Sequence, residues 1–216
     1  MLYYSTVSPY LKSVLKIVMD SDILKPFRLV GGTSLSLQLG HRISIDIDLF
    51  TDSDYGSLNF EDIETFLKSK FSFIVFSSEL TSFGKSYFIG SSENNAVKLD
   101  VFYSDPFIDD ELLIDNIRLA SLKDITAMKI EVIQNGGRKK DFWDLHELLN
   151  YFSLEEMLAF HKIRYPFSHD SDLIIKNFTN FQIADEDFEV LCLKGKYWEI
   201  IKSDFENLIK KFTNKE

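Results

Sequence analysis

The sequence predicts an α+β protein in which a half of mixed strands and helices, residues 1–118, precedes a helical half, residues 119–216. Two observations predict this division. Up to about residue 103, short segments rich in aromatic and β-branched residues alternate with helical stretches. From residue 121 onward, apolar residues recur at helical spacing instead. Since no repeat or low-complexity linker separates the two halves, we expect them to share a cleft.

The elements of the first half follow from local patterns. An apolar stripe predicts the first helix, Gly40 is the expected stop of the second, and Asn59 is the expected cap of the third. The predicted helices cover residues 6–24, 32–39 and 60–69, and the predicted strands cover residues 27–30, 44–50, 71–78, 86–90 and 96–103.

The second half is predicted to consist of helices. One helix begins near residue 121 and is broken by Gly136-Gly137, and a second begins near residue 139. Ser153 and Glu156 have the spacing of a capping box and predict the start of a third helix. The last predicted helix covers residues 196–212.

Composition bounds the class of protein. Hydrophobic residues make up 45% of the chain, with 20 Phe and 9 Tyr, which is ample for a packed core. Cys192, the single cysteine, excludes a disulfide framework and is interpreted as a buried, inert thiol in a reducing compartment. With no long apolar run and no signal-peptide pattern, we expect a soluble, cytoplasmic protein without a membrane segment. The net charge of −10 disfavours tight nonspecific DNA binding, although a local basic groove would still permit an RNA substrate.

One segment, GGTSLSLQLGHRISIDIDLF, carries the most informative motif. It places Gly31, Gly32 and Thr33 before a strand-like stretch that contains Asp46 and Asp48. Side chains two positions apart on a strand project from the same face, and a divalent cation is what usually makes two adjacent carboxylates tolerable. A glycine turn that opens a helix offers backbone N–H groups to a phosphate. Alone, either feature would indicate only a turn or a solvated strand end, but together they indicate nucleotide chemistry.

A third carboxylate for such chemistry is expected from a neighbouring strand. Asp100 is the best candidate because it is a lone acidic residue in an apolar strand, where an unpaired charge would be costly. The alternative is that Asp100 lies on a solvent-facing side of the strand that it shares with Lys98.

The pattern GGT-x-L-x-L-x-x-G-H-R-x-S-x-D-I-D-L-F resembles the signature of the AbiE-type toxin nucleotidyltransferases, within the DNA polymerase beta superfamily. The resemblance covers about residues 28–149. It implies a mixed sheet with a helical part that completes the nucleotide cleft, and a Mg²⁺ site at Asp46, Asp48 and Asp100. By the same resemblance, the backbone of Gly31 and Gly32 and the Thr33 hydroxyl hold phosphates, and Arg42 and Ser44 contact phosphate. Arg42 could instead anchor the loop by pairing with a carboxylate. Nothing marks His41 as a catalytic base.

A second cluster, residues 123–144, resembles the distal motif of the same family. The resemblance makes Lys129, Asp141 and Asp144 candidate catalytic residues. Lys129 would reach the β- and γ-phosphates, and Asp141 and Asp144, three residues apart, would share one helix face. Lys129 could also be an ordinary exposed helix residue, and Asp141 a plain acid of the first helical turn. The neighbouring Arg138, Lys139 and Lys140 lie at a helix start, where the helix dipole disfavours cations, so they indicate either an anionic ligand or a solvated loop.

The function expected from the resemblance is Mg²⁺-dependent transfer of an NMP from an NTP to an acceptor hydroxyl. The implied acceptor is the 3′ end of tRNA, the outcome is growth arrest, and the implied partner is a cognate antitoxin. Two alternatives remain at this point. The acceptor could be a small molecule such as an aminoglycoside, or a protein side chain; or the chain could be a non-catalytic NTP-binding module.

Overall fold

The computed structural model describes residues 1–76 and 83–214. The chain forms two compact units, which do not follow the sequence continuously. The first unit contains Met1–Gly40 and Ser44–Ser121, and the second contains His41–Ile43 and the chain from Leu122 onward. Across the described residues, no helix is both long and apolar enough to span a bilayer.

The first unit is built on a mixed β-sheet. Its elements are α1 (Pro9–Met19), β1 (Arg28–Leu29), α2 (Gly31–Leu39), β2 (Ile47–Thr51), α3 (Phe60–Lys70), β3 (Phe73–Phe76), β4 (Gly84–Ser92), β5 (Asn95–Tyr103), β6 (Leu112–Ile114) and β7 (Ile117–Leu119). Within the described chain these seven strands lie in the order β3-β4-β5-β2-β1-β7-β6. The pairs β2–β5 and β1–β7 are parallel and the other pairs are antiparallel, which confirms the predicted α+β class with a mixed sheet.

The first helix is shorter than predicted. The sequence pattern predicts a helix over 6–24, but α1 begins at Pro9 because the Ser8 side chain accepts a hydrogen bond from the Leu11 N–H and caps it. Separate 3₁₀ turns, Tyr4–Thr6 and Asp22–Leu24, flank the helix. The predicted single helix is therefore a 3₁₀ turn, the helix α1 and a second 3₁₀ turn.

The strand boundaries also differ from the prediction. The strand β1 has only two residues, and β2 begins at Ile47, so that Asp46 lies just before the strand. Residues 77–78 of the predicted strand 71–78 lie outside the described residues. The hairpin of β6 and β7 was not predicted, although Asp115-Asn116 provides its turn signal, since both residues have positive φ angles.

Arg118 stabilises the first unit from within. The side chain is buried, and its guanidinium donates to the backbone carbonyl oxygens of Met19, Leu24 and Phe27 at 2.9–3.1 Å. It therefore ties β7 to the end of α1 and to the segment before β1, where the Leu24 carbonyl oxygen also accepts the backbone N–H of Phe27 at 3.0 Å.

The second unit is helical, as predicted. Its helices are α4 (Leu122–Gln134), α5 (Lys139–Leu148), α6 (Leu154–Arg164), α7 (Ser171–Asn177), α8 (Gln182–Asp185) and α9 (Trp198–Thr213). Gly136, with a φ of 94°, lies between α4 and α5, and Ser153 and Glu156 form the predicted capping box of α6. The helices α7 and α8 were not predicted, because segments of 7 and 4 residues are too short to show a helical period in the sequence.

The core of the second unit is aromatic. The ring of Phe142 on α5 packs edge-on against Phe181, Trp198 and Phe205, with centroid distances of 5.1, 5.9 and 5.8 Å. These contacts hold α9 and the segment before it against α5. They fix the helix that carries Asp141 and Asp144.

Candidate active site

The parallel pairing of β2 with β5 brings two of the predicted carboxylates together. Asp48 and Asp100 are register partners on these strands. Partners on neighbouring strands project from the same face of a sheet, and residues on either side of them in sequence are buried on the other face. We call the face that carries Asp46, Asp48, Lys98 and Asp100 the acidic face.

Glycine at position 31 is required by the Asp48 carboxylate. Gly31 has a φ of 66°, and a Cβ added there would collide with Asp48 Oδ2. The backbone N–H of Val30 donates to the Asp48 carbonyl oxygen at 2.9 Å, which fixes the end of β1 beside β2. The N-terminus of α2 therefore lies directly against the acidic face. No side chain in the described chain caps this helix, whose first N–H groups lack partners within the helix itself.

The hydroxyls predicted to contact phosphate hold the loop that precedes β2. Thr33 is fully buried, and its hydroxyl contacts the Ser44 hydroxyl at 2.8 Å and the backbone carbonyl of Asp46. In this structure Thr33 and Ser44 thus fix the backbone at Asp46.

Lys98 is a member of the acidic face, although its place in the sequence indicated only a solvent-facing side of the strand. Its Nζ lies 2.6 Å from Asp100 Oδ2. Partial burial alone would lower the pKa of Lys98, but the carboxylates of Asp100, Asp48 and Asp46 raise it above its ordinary value. The period-two spacing of Lys98 and Asp100 was the available sequence signal, because it places both on one face of β5.

The donor chemistry of the acidic face suits Mg²⁺, which prefers carboxylate oxygens. Oδ1 of Asp100 is buried and accepts no hydrogen bond from the described residues, so it is available to a cation. Within residues 1–76 and 83–214, no three His, Cys, Asp or Glu side chains are already grouped to hold a metal ion, so the three-carboxylate site at Asp46, Asp48 and Asp100 stays a prediction. Asp46 lies before the strand, and Lys98 already neutralises Asp100.

The second unit contains a buried ionic network formed by His41, Arg42, Lys129, Asp141 and Asp144. Asp144 is fully buried and accepts hydrogen bonds from Arg42 Nε at 2.6 Å, Arg42 Nη2 at 2.8 Å and His41 Nε2 at 2.8 Å. Burial alone would raise the pKa of Asp144, but Arg42 and Lys129 lower it well below its ordinary value. The carboxylate is therefore ionised and fully engaged.

Lys129 is held between two carboxylates. Its Nζ lies 2.6 Å from Asp141 Oδ1 and 2.7 Å from Asp144 Oδ2, and only 7% of the residue is exposed. Although burial lowers the pKa of Lys129, Asp141 and Asp144 raise it to about 12. The interpretation of Lys129 as an ordinary exposed helix residue is therefore wrong.

Asp141 combines two roles at the start of α5. Oδ2 accepts the backbone N–H of Arg138 at 3.1 Å, as an acid of a first helical turn does, while Oδ1 binds Lys129. The α5 helix places Asp141 and Asp144 on one face, as predicted, and Lys129 on α4 contacts both.

His41 and Arg42 are positioned by a short backbone pairing. The Ile43 N–H donates to the Leu191 carbonyl oxygen and the Leu193 N–H donates to the His41 carbonyl oxygen, both at 2.9 Å. The structure shows the second interpretation of Arg42, in which its side chain pairs with a carboxylate, here that of Asp144. His41 was left out of the sequence-based site, and only its position beside Arg42 could have marked it.

Two of the basic residues before α5 have internal partners. Arg138 donates to both carboxylate oxygens of Asp187, at 2.8 and 3.1 Å, and the buried Lys139 binds Glu189 at 2.7 Å. Acidic residues far along the chain therefore neutralise both cations in this structure, and an anionic ligand at Arg138 stays a prediction. Lys140 is half-buried.

Cys192 is partly exposed rather than buried. Burial would raise the pKa of its thiol, but hydrogen bonds from the N–H groups of Lys194 and Lys196 lower it. The interpretation of Cys192 as a buried side chain is therefore wrong.

Two solved structures share the fold of the whole described chain. A protein of H. pylori described as a nucleotidyltransferase is 20% identical, with a TM-score of 0.57 over 96% of this chain and 95% of that one. MenT4, a nucleotidyltransferase toxin of Mycobacterium tuberculosis H37Rv, is 12% identical, with a TM-score of 0.55 over 93% of this chain and 83% of that one. These likenesses confirm the nucleotidyltransferase fold.

The sequence comparisons identify the family. The chain is 27% identical over 212 residues to an uncharacterized protein of Aquifex aeolicus (strain VF5), covering 93% of this chain and 95% of that protein. The model of the nucleotidyl transferase AbiEii toxins of type IV toxin–antitoxin systems matches residues 14–213. The chain therefore belongs to the AbiEii nucleotidyl transferase toxin family and is a nucleotidyltransferase.

Proposed function

We propose that this nucleotidyltransferase transfers an NMP from an NTP to the 3′-terminal hydroxyl of a tRNA, with Mg²⁺ held by Asp46, Asp48 and Asp100. The observation that carries the proposal is the register pairing of Asp48 with Asp100 beside the glycine that opens α2. It joins a carboxylate pair to a helix N-terminus, and these are the groups that bind cations and phosphates respectively.

Each group of the acidic face has a proposed task. The N–H groups at Gly31 and Gly32 donate to phosphate oxygens at the helix N-terminus. Mg²⁺, when bound, would neutralise the triphosphate and the leaving pyrophosphate. The acceptor hydroxyl attacks the α-phosphorus, its proton passes to a carboxylate, and pyrophosphate leaves; Asp100 is the proposed proton acceptor because Oδ1 is unpartnered.

The buried ionic network has a proposed supporting task. The raised pKa of Lys129 keeps it protonated, and it would reach a triphosphate only by leaving the carboxylates of Asp141 and Asp144. Asp144, fully buried, does not reach a substrate, so we propose it as a positioning residue that holds Lys129 and Arg42. Asp141 holds Lys129 from the other side, and Arg42 would reach phosphate only by leaving Asp144.

The biological setting follows from the family. Type IV toxin–antitoxin membership implies a nucleotide substrate and an antitoxin partner. We propose a cytoplasmic site of action, since NTPs and tRNA are both found there, with growth arrest as the result.

The test is transfer of label from each α-³²P-labelled NTP to total tRNA in the presence of Mg²⁺. Wild-type protein is expected to label tRNA, and Asp48→Asn is expected to lose this activity while retaining its thermal stability. Asp105→Asn, an exposed aspartate of the same unit, is the matched control and should keep wild-type activity.

The other outcomes separate the alternatives. Label on an aminoglycoside or on protein, but not on tRNA, would replace the acceptor, and the acidic net charge of −10 makes a cationic acceptor the alternative to include. Toxicity that survives Asp48→Asn would favour a non-catalytic NTP-binding module. If no acceptor is labelled and calorimetry detects no NTP binding, the proposal fails.

A further inference from the structure

Lys98 lies within the acidic face rather than at its edge. Its Nζ forms a 2.6 Å ion pair with Asp100 Oδ2, and it precedes Asp100 by two residues on β5. The register of β2 with β5 begins at the pair Ile47–Leu99. Continued by one residue before that pair, it would place Asp46 beside Lys98. All three carboxylates attract the ammonium group electrostatically.

The carboxylates of the acidic face need a positive charge beside them even when no metal ion is bound. Asp48 and Asp100 face the same side of two adjacent strands, where two negative charges repel each other. The Lys98 ammonium carries one charge and engages one oxygen of Asp100, while the other oxygen stays buried without a hydrogen bond from the described residues. A divalent cation at Asp100 would have to share that carboxylate with a positive charge 2.6 Å away.

We propose that Lys98 is a tethered counter-cation that stabilises the metal-free acidic face and competes with the divalent cation for Asp100. This inference rests on the proposed metal-binding role of the carboxylates. It assigns to Lys98 the control of metal affinity: the ammonium leaves Asp100 when the divalent cation binds. Its four-carbon stem, on a side chain that is 38% exposed, allows this movement without a backbone change.

The test measures Mn²⁺ binding by calorimetry and by electron paramagnetic resonance, without nucleotide or RNA. Lys98→Met removes the charge and keeps the length of the stem, so its Kd for Mn²⁺ is expected to fall by at least about tenfold. Lys98→Arg keeps the charge and should stay within about threefold of the wild type.

Lys85→Met is the matched control. Lys85 is a strand lysine of similar exposure, 34%, with its own 2.7 Å ion pair to Glu64. It pairs in register with Val101, whose side chain is on the face opposite to Asp100, so its removal should leave the Mn²⁺ affinity unchanged.

The Tm, the Mn²⁺ affinity and the KM for NTP distinguish a counter-cation from a triphosphate contact at Lys98. In the presence of EDTA, Lys98→Met should unfold at a lower temperature than the wild type, and Mn²⁺ should raise its Tm more than it raises that of the wild type. An unchanged or weaker Mn²⁺ affinity in Lys98→Met would overturn the proposal, as would a rise in the KM for NTP at unchanged metal affinity, since Lys98 would then contact the triphosphate. Absence of Mn²⁺ binding in every variant would also overturn it. A tRNA-labelling failure with intact Mn²⁺ competition would instead reject the proposed function alone.

Discussion

Replacing Asp144 with asparagine tests the buried ionic network directly. Asn keeps the shape of the side chain but removes the charge, and it turns one acceptor oxygen into an amide donor. In the wild type, Asp144 is fully buried, accepts three hydrogen bonds from His41 and Arg42, and lies 2.7 Å from the Lys129 ammonium. The variant would leave Arg42 and Lys129 buried with only part of their counter-charge.

The expected loss is large for a single substitution. Removing one partner of a buried ion pair costs about 3–5 kcal/mol, because the remaining charge stays buried without compensation. Urea unfolding followed by circular dichroism should show a decrease of this size in the free energy of unfolding of Asp144→Asn. The control Glu199→Gln removes the ion pair of the exposed Glu199 with Lys202, which keeps its pairing with Asp185, and should cost less than about 1 kcal/mol.

The dependence on pH gives a second measurement of the same network. The folded-state pKa of Asp144 lies well below 3.8, so the unfolded state takes up the proton first as the pH falls. The wild type should therefore keep the contribution of Asp144 above pH 3.8 and lose it progressively below that value, whereas Asp144→Asn should lack this component. A loss of under about 1 kcal/mol at neutral pH, matching Glu199→Gln, would refute the reasoning.

Three further outcomes follow from the structure. Gly31→Ala should cost about 1–3 kcal/mol in urea unfolding, and more than Gly56→Ala, because both have positive φ but only at Gly31 would the added Cβ collide with a carboxylate; equal costs would refute the close approach. Arg118→Met should cost at least about 2 kcal/mol, since three buried hydrogen bonds to backbone carbonyls are lost, and a loss under 1 kcal/mol would contradict the assigned role. Burial lowers the pKa of His161 and of His169, so proton uptake favours the unfolded state and stability should fall as the pH drops below 6.5. His169→Gln should flatten this part of the stability profile measured between pH 7.5 and 5, and an unchanged slope would exclude His169 as a contributor.

Local patterns predicted the elements that carry the acidic face. The aromatic and β-branched residues around Asp100 predicted β5, and the period of two explains why Asp48 and Asp100 can share a face once their strands pair. The glycine pair predicted the start of α2. The structure adds a reason for glycine at position 31, since a Cβ there would collide with the Asp48 carboxylate. The elements themselves depend on residues close together in the chain, so one sequence suffices to find them, whereas the pairing of Asp48 with Asp100 joins distant strands.

Boundaries and short elements could not be predicted as well. Asp46 belongs to an alternating stretch, yet the strand begins one residue later because Thr33 and Ser44 fix the preceding loop instead. The β6–β7 hairpin has strands of three residues, too short for a period to be counted. In both cases contacts made elsewhere in the first unit decide where a strand starts or ends.

The sequence by itself determined the chemistry available to this protein: paired carboxylates, a glycine turn at a helix start, and a distal lysine with two aspartates. Only the tertiary structure decided which charges meet. Arg42 binds Asp144 across 102 positions, Arg138 binds Asp187 across 49, and Lys98 takes the carboxylate that was expected to be vacant for a metal ion. The reason is physical, because a buried charge must find a counter-charge, and packing rather than sequence distance sets which partner lies within about 3 Å.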